Sequence, residues 1–214
     1  MPELRGKKVV CAMSGGVDSS VASALLKKAG FNVIGVFMKL WPGKNFSLSA
    51  QKTVKNVCSQ LGIPFQVFDL TKEFKKKVVD YFLREYQRGR TPNPCVECNR
   101  EIKFGLFFKK ALASGADYIA TGHYARIRNL KLFQAKDTEK DQSYFLYNLT
   151  QKHLKKILFP IGNYTKPQVK DLAKKFGIFH LVRPESRDIC FIKGRHRDFL
   201  KKYLRLNLDQ FLIP

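Results

Sequence analysis

Apolar positions along the chain follow two rhythms. Residues 9–13 (Val-Val-Cys-Ala-Met), 33–38 and 65–68 are short runs dense in apolar residues. Runs this short, rich in β-branched and aromatic side chains, predict strands buried on both faces. Between them the apolar residues recur every three or four positions, which predicts helices over 20–28, 50–61 and 71–87. Gly62 with Pro64 beyond it suits the end of the second helix, and Thr71 suits the N-cap of the third. Residues 88–99 carry two prolines and read as a loop, followed by a helix over 103–113 and a strand over 118–120. The stretch 125–136 alternates (Ile127, Leu132, Phe133) around Asn129, as a β-hairpin does. Thr165-Lys-Pro opens a helix to 176, with Pro167 in its first turn, and a last helix covers 197–204.

Strands alternating with helices predict an α/β fold, an open parallel sheet covered on both faces. The alternation stops near residue 150. The expected organisation is therefore a catalytic domain over 1–150 and a short, mostly helical extension over 151–214. In such sheets ligands sit beyond the carboxyl ends of the strands.

Composition narrows the class. The chain has 214 residues, 44% of them hydrophobic, enough for a sizeable core. No apolar stretch reaches the roughly 18–20 residues needed to cross a bilayer, and the N-terminus shows no signal-peptide pattern, so a cytoplasmic protein without a membrane partner is expected. Forty Lys and Arg against 17 Asp and Glu leave +23. A basic, highly soluble surface accounts for part of this, but +23 exceeds what a nucleotide needs and points to a nucleic-acid partner. Five cysteines argue against a disulfide framework. Cys11 in the first strand and Cys58 on an apolar helix face read as small core residues. Cys95, Cys98 and Cys190 need another reason.

Residues 12–19 read Ala-Met-Ser-Gly-Gly-Val-Asp-Ser, between the first strand and the first helix. Gly15 and Gly16 can both take positive φ and let the backbone approach an anion, which meets the open N–H groups of the helix start. No Gly-Lys-Ser/Thr follows, so this is not a Walker A loop. The run resembles the PP-loop of ATP pyrophosphatases, which cleave ATP between the α and β phosphates; an ordinary turn with two glycines is the plainer alternative. A second cluster, Thr91-Pro-Asn-Pro-Cys-Val-Glu-Cys-Asn, places Cys95 and Cys98 close enough to chelate one metal or to exchange a disulfide. One Cys-x-x-Cys does not by itself make a four-ligand zinc site, although Cys190 and a histidine could complete one. Asn93 and Asn99 can hydrogen-bond a base or order the loop.

The PP-loop run, Gly35-Val-Phe-Met-Lys, Thr91-Pro-Asn-Pro-Cys through Ile102-Lys-Phe-Gly, Ala120-Thr-Gly-His-Tyr-Ala-Arg, Lys140-Asp-Gln-Ser-Tyr-Phe-Leu, Phe159-Pro-Ile-Gly and Asp188-Ile-Cys-Phe-Ile occur in one order over nearly the whole chain. Together they resemble the tRNA-specific 2-thiouridylases. The resemblance implies an adenine-nucleotide α-hydrolase-like, Rossmann-like fold and ATP-dependent 2-thiolation of a tRNA wobble uridine through an adenylated uridine. It implies that Ala12, Met13, Ser14, Gly15, Gly16, Val17, Asp18 and Ser19 hold ATP, with Met38 and Gly122 near the nucleotide. It places Asn93, Pro94 and Cys95 against the target base, and Lys140, Asp141 and Gln142 against tRNA. Cys98 and Cys190 match the family's catalytic cysteines.

The implied cofactors are ATP and Mg²⁺, the latter aided by Asp18, and the implied partners are tRNA and a sulfur donor or relay protein. Two sulfur routes are open. Cys190 could carry a persulfide that Cys98 resolves as a disulfide. Alternatively Cys95, Cys98 and Cys190 could hold three irons of a 4Fe–4S cluster; many relatives carry Asp where this chain has Cys95, a softer ligand, which favours the cluster. Glu185-Ser-Arg stands where the family has Asp-Ser-Gln, and the family's C-terminal β-barrel is expected to be absent from this chain. The runners-up are another PP-loop adenylating enzyme, such as a tRNA lysidine synthetase or an amidotransferase, and an inactive RNA-binding module with structural zinc.

Overall fold

The structure is a computed structural model that describes residues 5–41, 44–182, 189–192 and 194–204. Strands β1 (Lys8–Met13), β2 (Asn32–Lys39), β3 (Phe65–Asp69), β4 (Tyr118–Thr121), β5 (Arg126–Arg128), β6 (Lys131–Phe133) and β7 (Ile157–Leu158) follow in chain order. Five of them form one parallel sheet in the order β3-β2-β1-β4-β7. β1 is central because both its faces are apolar. Val9, Cys11 and Met13 enter the core on one side and Val10 and Ala12 the core on the other. The strand period of two thus serves two cores at once.

Helices α1 (Val17–Lys28) and α2 (Lys44–Leu61) follow the first two strands. Helix α3 runs unbroken through Thr71–Phe74, Lys75–Val79 and Asp80–Gln87, and α4 through Pro94–Glu97, Cys98–Phe107 and Phe108–Ala113. The short α5 (Gln151–Leu154), α6 (Lys166–Lys175) and α7 (His196–Leu204) complete the set. The α1, α2 and α6 side chains fill the first core, and those of α3, α4 and α7 the second. β5 and β6 form the expected antiparallel hairpin, turning through Asn129 (φ 48°) and Leu130 (φ 56°).

Three local expectations change. Leu70 occupies the start of α3 instead of Thr71, and Asp69 Oδ1 accepts the Thr71 N–H at 3.0 Å. The loop beginning at 88 ends at Asn93, where α4 starts. The sheet also continues past residue 150: β7 adds to β4, and α6 packs on α1. Thr165 does cap α6 in a capping box with Gln168, and Gly62 does end α2 at φ +58°. Among the described residues no helix is long and apolar enough to cross a membrane.

Candidate active site

Strand order reverses beside β1, since β2 lies on one side and β4 on the other. Connections leave that point in opposite directions, so a crevice opens at the strands' carboxyl ends. A cavity of about 400 Å³ lies there. Ala12, Met13, Ser14, Asp18 and Ser19 line it from β1 and α1, Met38 from β2, and Gly122 from the end of β4.

The loop between β1 and α1 needs one left-handed glycine, not two. Gly15 sits at φ +85°. Gly16 is the N-cap of α1 at φ −83°, in extended backbone open to any residue, and no side chain caps the helix there. The first N–H groups of α1 are therefore left for a ligand. Ser19 Oγ accepts the Ser14 N–H at 3.2 Å, which closes the loop on itself. Gly122 is required by contact. A Cβ there would lie 2.5 Å from Ser19 N and 2.7 Å from the Asp18 carbonyl carbon. Bare backbone at Gly122 lets β4 approach the first turn of α1.

Asp18 is doubly held. Lys166 Nζ donates to both carboxylate oxygens at 2.8 Å, and Tyr124 Oη donates to Oδ1 at 2.9 Å. Lys166 is 8% exposed, a burial a lysine tolerates only with a partner. Asp18 therefore already has a cation before any metal arrives. Sequence reasoning missed both partners. Tyr124 lay inside a quoted motif without a role, and Lys166 had only Pro167 beside it as a signal for a helix start.

Cys95, Cys98 and Cys190 all line the same cavity. Cys95 and Cys98 come from the first turns of α4, where Asn93 is the N-cap and its Oδ1 accepts the Cys95 and Val96 N–H groups at 3.1 and 3.3 Å. Cys190 is held through its neighbour. The Phe191 ring lies 5.7 Å from Phe74, 5.5 Å from Phe82 and 5.5 Å from Phe199, and is buried. Residues 183–188, including Glu185, Ser186, Arg187 and Asp188, lie outside the described residues. Burial pushes the Cys98 thiol up to about 11, and Lys103 opposes that shift. Cys190 is an exposed residue on the same cavity.

Lys103 is the other residue the sequence did not single out. Between Cys98 and Phe107, α4 widens to π-type i→i+5 bonding. In an α-helix, residue i+5 points about 140° away from residue i; in a π segment it stacks close above. The widening brings Cys98 and Lys103 to one cavity wall. Lys103 Nζ lies 3.2 Å from His123 Nε2, and His123 Nδ1 lies 2.6 Å from Thr121 Oγ1. Burial first, then Lys103, holds His123 well below the usual imidazole range. A neutral ring suits this chain: Lys103 donates to Nε2, and Nδ1–H donates to Thr121.

The residues expected to meet tRNA divide. Pro94, Cys95 and Gln142 line the cavity. The Asn93 side chain instead serves as the α4 cap, and Asp141 serves a loop, accepting the Ala135 N–H at 2.7 Å and the Ser143 hydroxyl at 2.5 Å. Gln142 Oε1 also accepts the Tyr124 N–H at 3.0 Å. Lys140 is half-buried, and its N–H donates to Asp137 Oδ1 at 3.3 Å.

The iron–sulfur expectation does not fit the side chains as placed. Three thiols share the cavity, but among the described residues no group of three or more His, Cys, Asp or Glu is positioned to hold a metal ion.

Residues 7–194 match the family model described as the tRNA methyl transferase HUP domain. The chain is 48% identical over 213 residues to the tRNA-specific 2-thiouridylase MnmA of Carboxydothermus hydrogenoformans, covering 92% of this chain and 58% of that one. It is 50% identical over 220 residues to the MnmA of Caldicellulosiruptor saccharolyticus, covering 95% and 61%. The chain thus spans about three fifths of these curated relatives. Among solved structures, a 4-thiouridine synthetase in complex with RNA and ATP aligns at TM-score 0.54 with 19% identity, covering 93% of this chain and 50% of that one. NMN synthetase from Francisella tularensis aligns at TM-score 0.51 with 18% identity, covering 87% and 68%. These two likenesses concern the fold.

Proposed function

The chain belongs to the tRNA-specific 2-thiouridylase family, and from that premise we propose that it catalyses ATP-dependent 2-thiolation of a tRNA wobble uridine. One observation carries the reading. The loop with open helix N–H groups and the three otherwise unexplained cysteines line the same cavity.

In this reading Gly15, Gly16 and the first turn of α1 bind the phosphates of ATP, with Met38 and Gly122 walling the nucleotide. The uracil O2 attacks the α phosphorus, and the bond to the β phosphate breaks, releasing pyrophosphate. The developing charge falls on the N–H groups of α1, with Lys103 also lining the cavity. Asp18 would help to hold Mg²⁺, which would supply positive charge against the phosphates, and Lys166 already offsets part of the Asp18 charge. The adenylated oxygen is then a good leaving group.

Sulfur arrives on Cys190 as a persulfide supplied by a sulfur-donor protein. Its terminal sulfur attacks C2, and AMP departs with the oxygen. The Cys98 thiolate then attacks the Cys190 sulfur, frees the thiolated base and leaves a Cys98–Cys190 disulfide, which an external dithiol must reduce. The proposed setting is the cytoplasm, with tRNA as partner.

The test is mass analysis of tRNA nucleosides after anaerobic incubation with ATP, Mg²⁺ and a persulfide source. The expected product is 2-thiouridine together with AMP. Cys98→Ala and Cys190→Ala should abolish thiolation while tRNA-dependent pyrophosphate release persists. Normal thiolation by Cys190→Ala would defeat the reading.

A further inference from the structure

The largest outward-facing aromatic surface of the described residues lies beside the cavity. Tyr144 and Tyr147 are 66% and 65% exposed. They belong to a 3₁₀ turn, Ser143–Leu146, that Tyr147 closes. Three residues per turn place positions i and i+3 directly above one another, so the two rings share one face. Their centroids lie 6.4 Å apart, and Phe145 lies 5.4 Å from Tyr144.

The turn is fixed from beneath. Leu146 is buried. Asn99 of α4 donates to the Phe145 carbonyl at 3.3 Å, and the Gln142 N–H donates to the Tyr124 carbonyl at 2.8 Å. Asp141 takes both the N–H and the hydroxyl of Ser143. Gln142, at the head of the turn, lines the cavity. The tyrosines therefore stand on a rigid rim next to the cavity mouth, with the half-exposed Arg100 as charged neighbour of Tyr147.

We propose that Tyr144 and Tyr147 form a stacking platform for unpaired RNA bases flanking the nucleotide that enters the cavity. The proposal rests on the RNA substrate inferred above and adds the surface that grips it. Three features favour RNA as the occupant. Paired, rigidly mounted rings suit the faces of bases, which any sequence offers once unstacked. The chain carries +23, which attracts a polyanion and repels most basic partners. The platform is also continuous with the site of chemistry through Gln142. A single-stranded loop can reach the rings, whereas a duplex keeps its base faces closed.

The test uses the full chain and two RNA probes: a hairpin with an unpaired loop, and the same stem closed as a blunt duplex. The loop probe should bind the wild type more tightly. Tyr144→Ala with Tyr147→Ala should weaken loop binding roughly 5- to 100-fold and leave duplex binding unchanged. Tyr144→Phe with Tyr147→Phe should retain loop binding, because stacking needs the ring and not the hydroxyl. Thermal melts of each variant check that the turn's fold is intact. Equal loop binding by the alanine variant and the wild type would overturn the platform. An equal loss on both probes would also overturn it. Tyrosine-independent binding with normal AMP formation would sink the platform alone; absence of any RNA binding or RNA-dependent AMP formation would sink the functional reading with it.

Discussion

Asp18 takes its partners from 106 and 148 residues away, in Tyr124 and Lys166. Breaking this partly buried pair should cost about 1–3 kcal/mol, because Asp18 keeps some contact with water. Lys166→Met should show that loss in denaturant unfolding and should weaken ATP binding in a nucleotide titration, with Lys166→Arg intermediate in both. Gly122→Ala should impair ATP binding more than its single methyl group suggests, since the Cβ meets backbone atoms that cannot move aside. The thiols fix how stability varies with alkali. Burial raises Cys11 and Cys58 to about 12 and Cys98 to about 11, from the ordinary 9.0. Between those limits the unfolded chain loses protons that the folded chain keeps, so stability should fall as pH rises above 9. His123 acts at the other end: its pKa is lowered from 6.5, so stability should fall as pH drops below that value. Denaturant midpoints across pH, with Cys98→Ala flattening the alkaline limb, check both signs. At this scale Ala12, Met13, Ser14, Asp18 and Ser19 were legible as residues of the cavity, because small and hydroxyl residues after a strand have few other uses. It could not expose Lys166 or Tyr124, since long-range ion pairing leaves no local pattern.

Helix α4 carries two of the three cavity thiols and depends on two devices. The first is the Asn93 cap. Asn93→Ala should cost about 1 kcal/mol and slow thiolation by loosening Cys95 and Cys98, whereas Asn93→Asp should keep both, read by thermal melting alongside nucleoside analysis. If Asn93 acted only on the base, the aspartate variant would fail like the alanine one. The second is the π widening that stacks Lys103 near Cys98. Lys103→Met should slow alkylation of Cys98 at pH 8–9, since the cation opposes the shift that burial imposes. The sequence pattern puts the start of α4 in a loop because Pro92 and Pro94 are strong breakers, yet Pro94 sits in the first turn, where its missing N–H costs nothing. The alignment of Lys103 with Cys98 was hidden for a different reason: a period of 3.6 assigns them to different faces. Strands β1, β2 and β3 were legible because continuous apolar runs admit few alternatives. β7 has two residues in its strand, too few to show any period.

At the scale of the whole molecule, the sequence anticipated the parallel sheet and the crevice, because alternating strands and helices leave few topologies. What brings Cys190 to that crevice is packing rather than pattern. Phe191 is inserted among Phe74, Phe82 and Phe199, so Phe191→Ala should cost about 3–5 kcal/mol and loosen Cys190. Sulfur transfer should fall while adenylation changes less, a split measured by comparing thiolated nucleoside with released pyrophosphate in one reaction. The Asp18–Lys166 pair also bears on how the protein is made. Translation delivers the phosphate loop among the first residues, but its aspartate waits for a lysine made 148 residues later. A nascent chain still short of that lysine carries the loop with an uncompensated carboxylate that repels phosphate. The growing polypeptide should therefore acquire nucleotide only late in synthesis, after the region that presents Cys95 and Cys98 has left the ribosome.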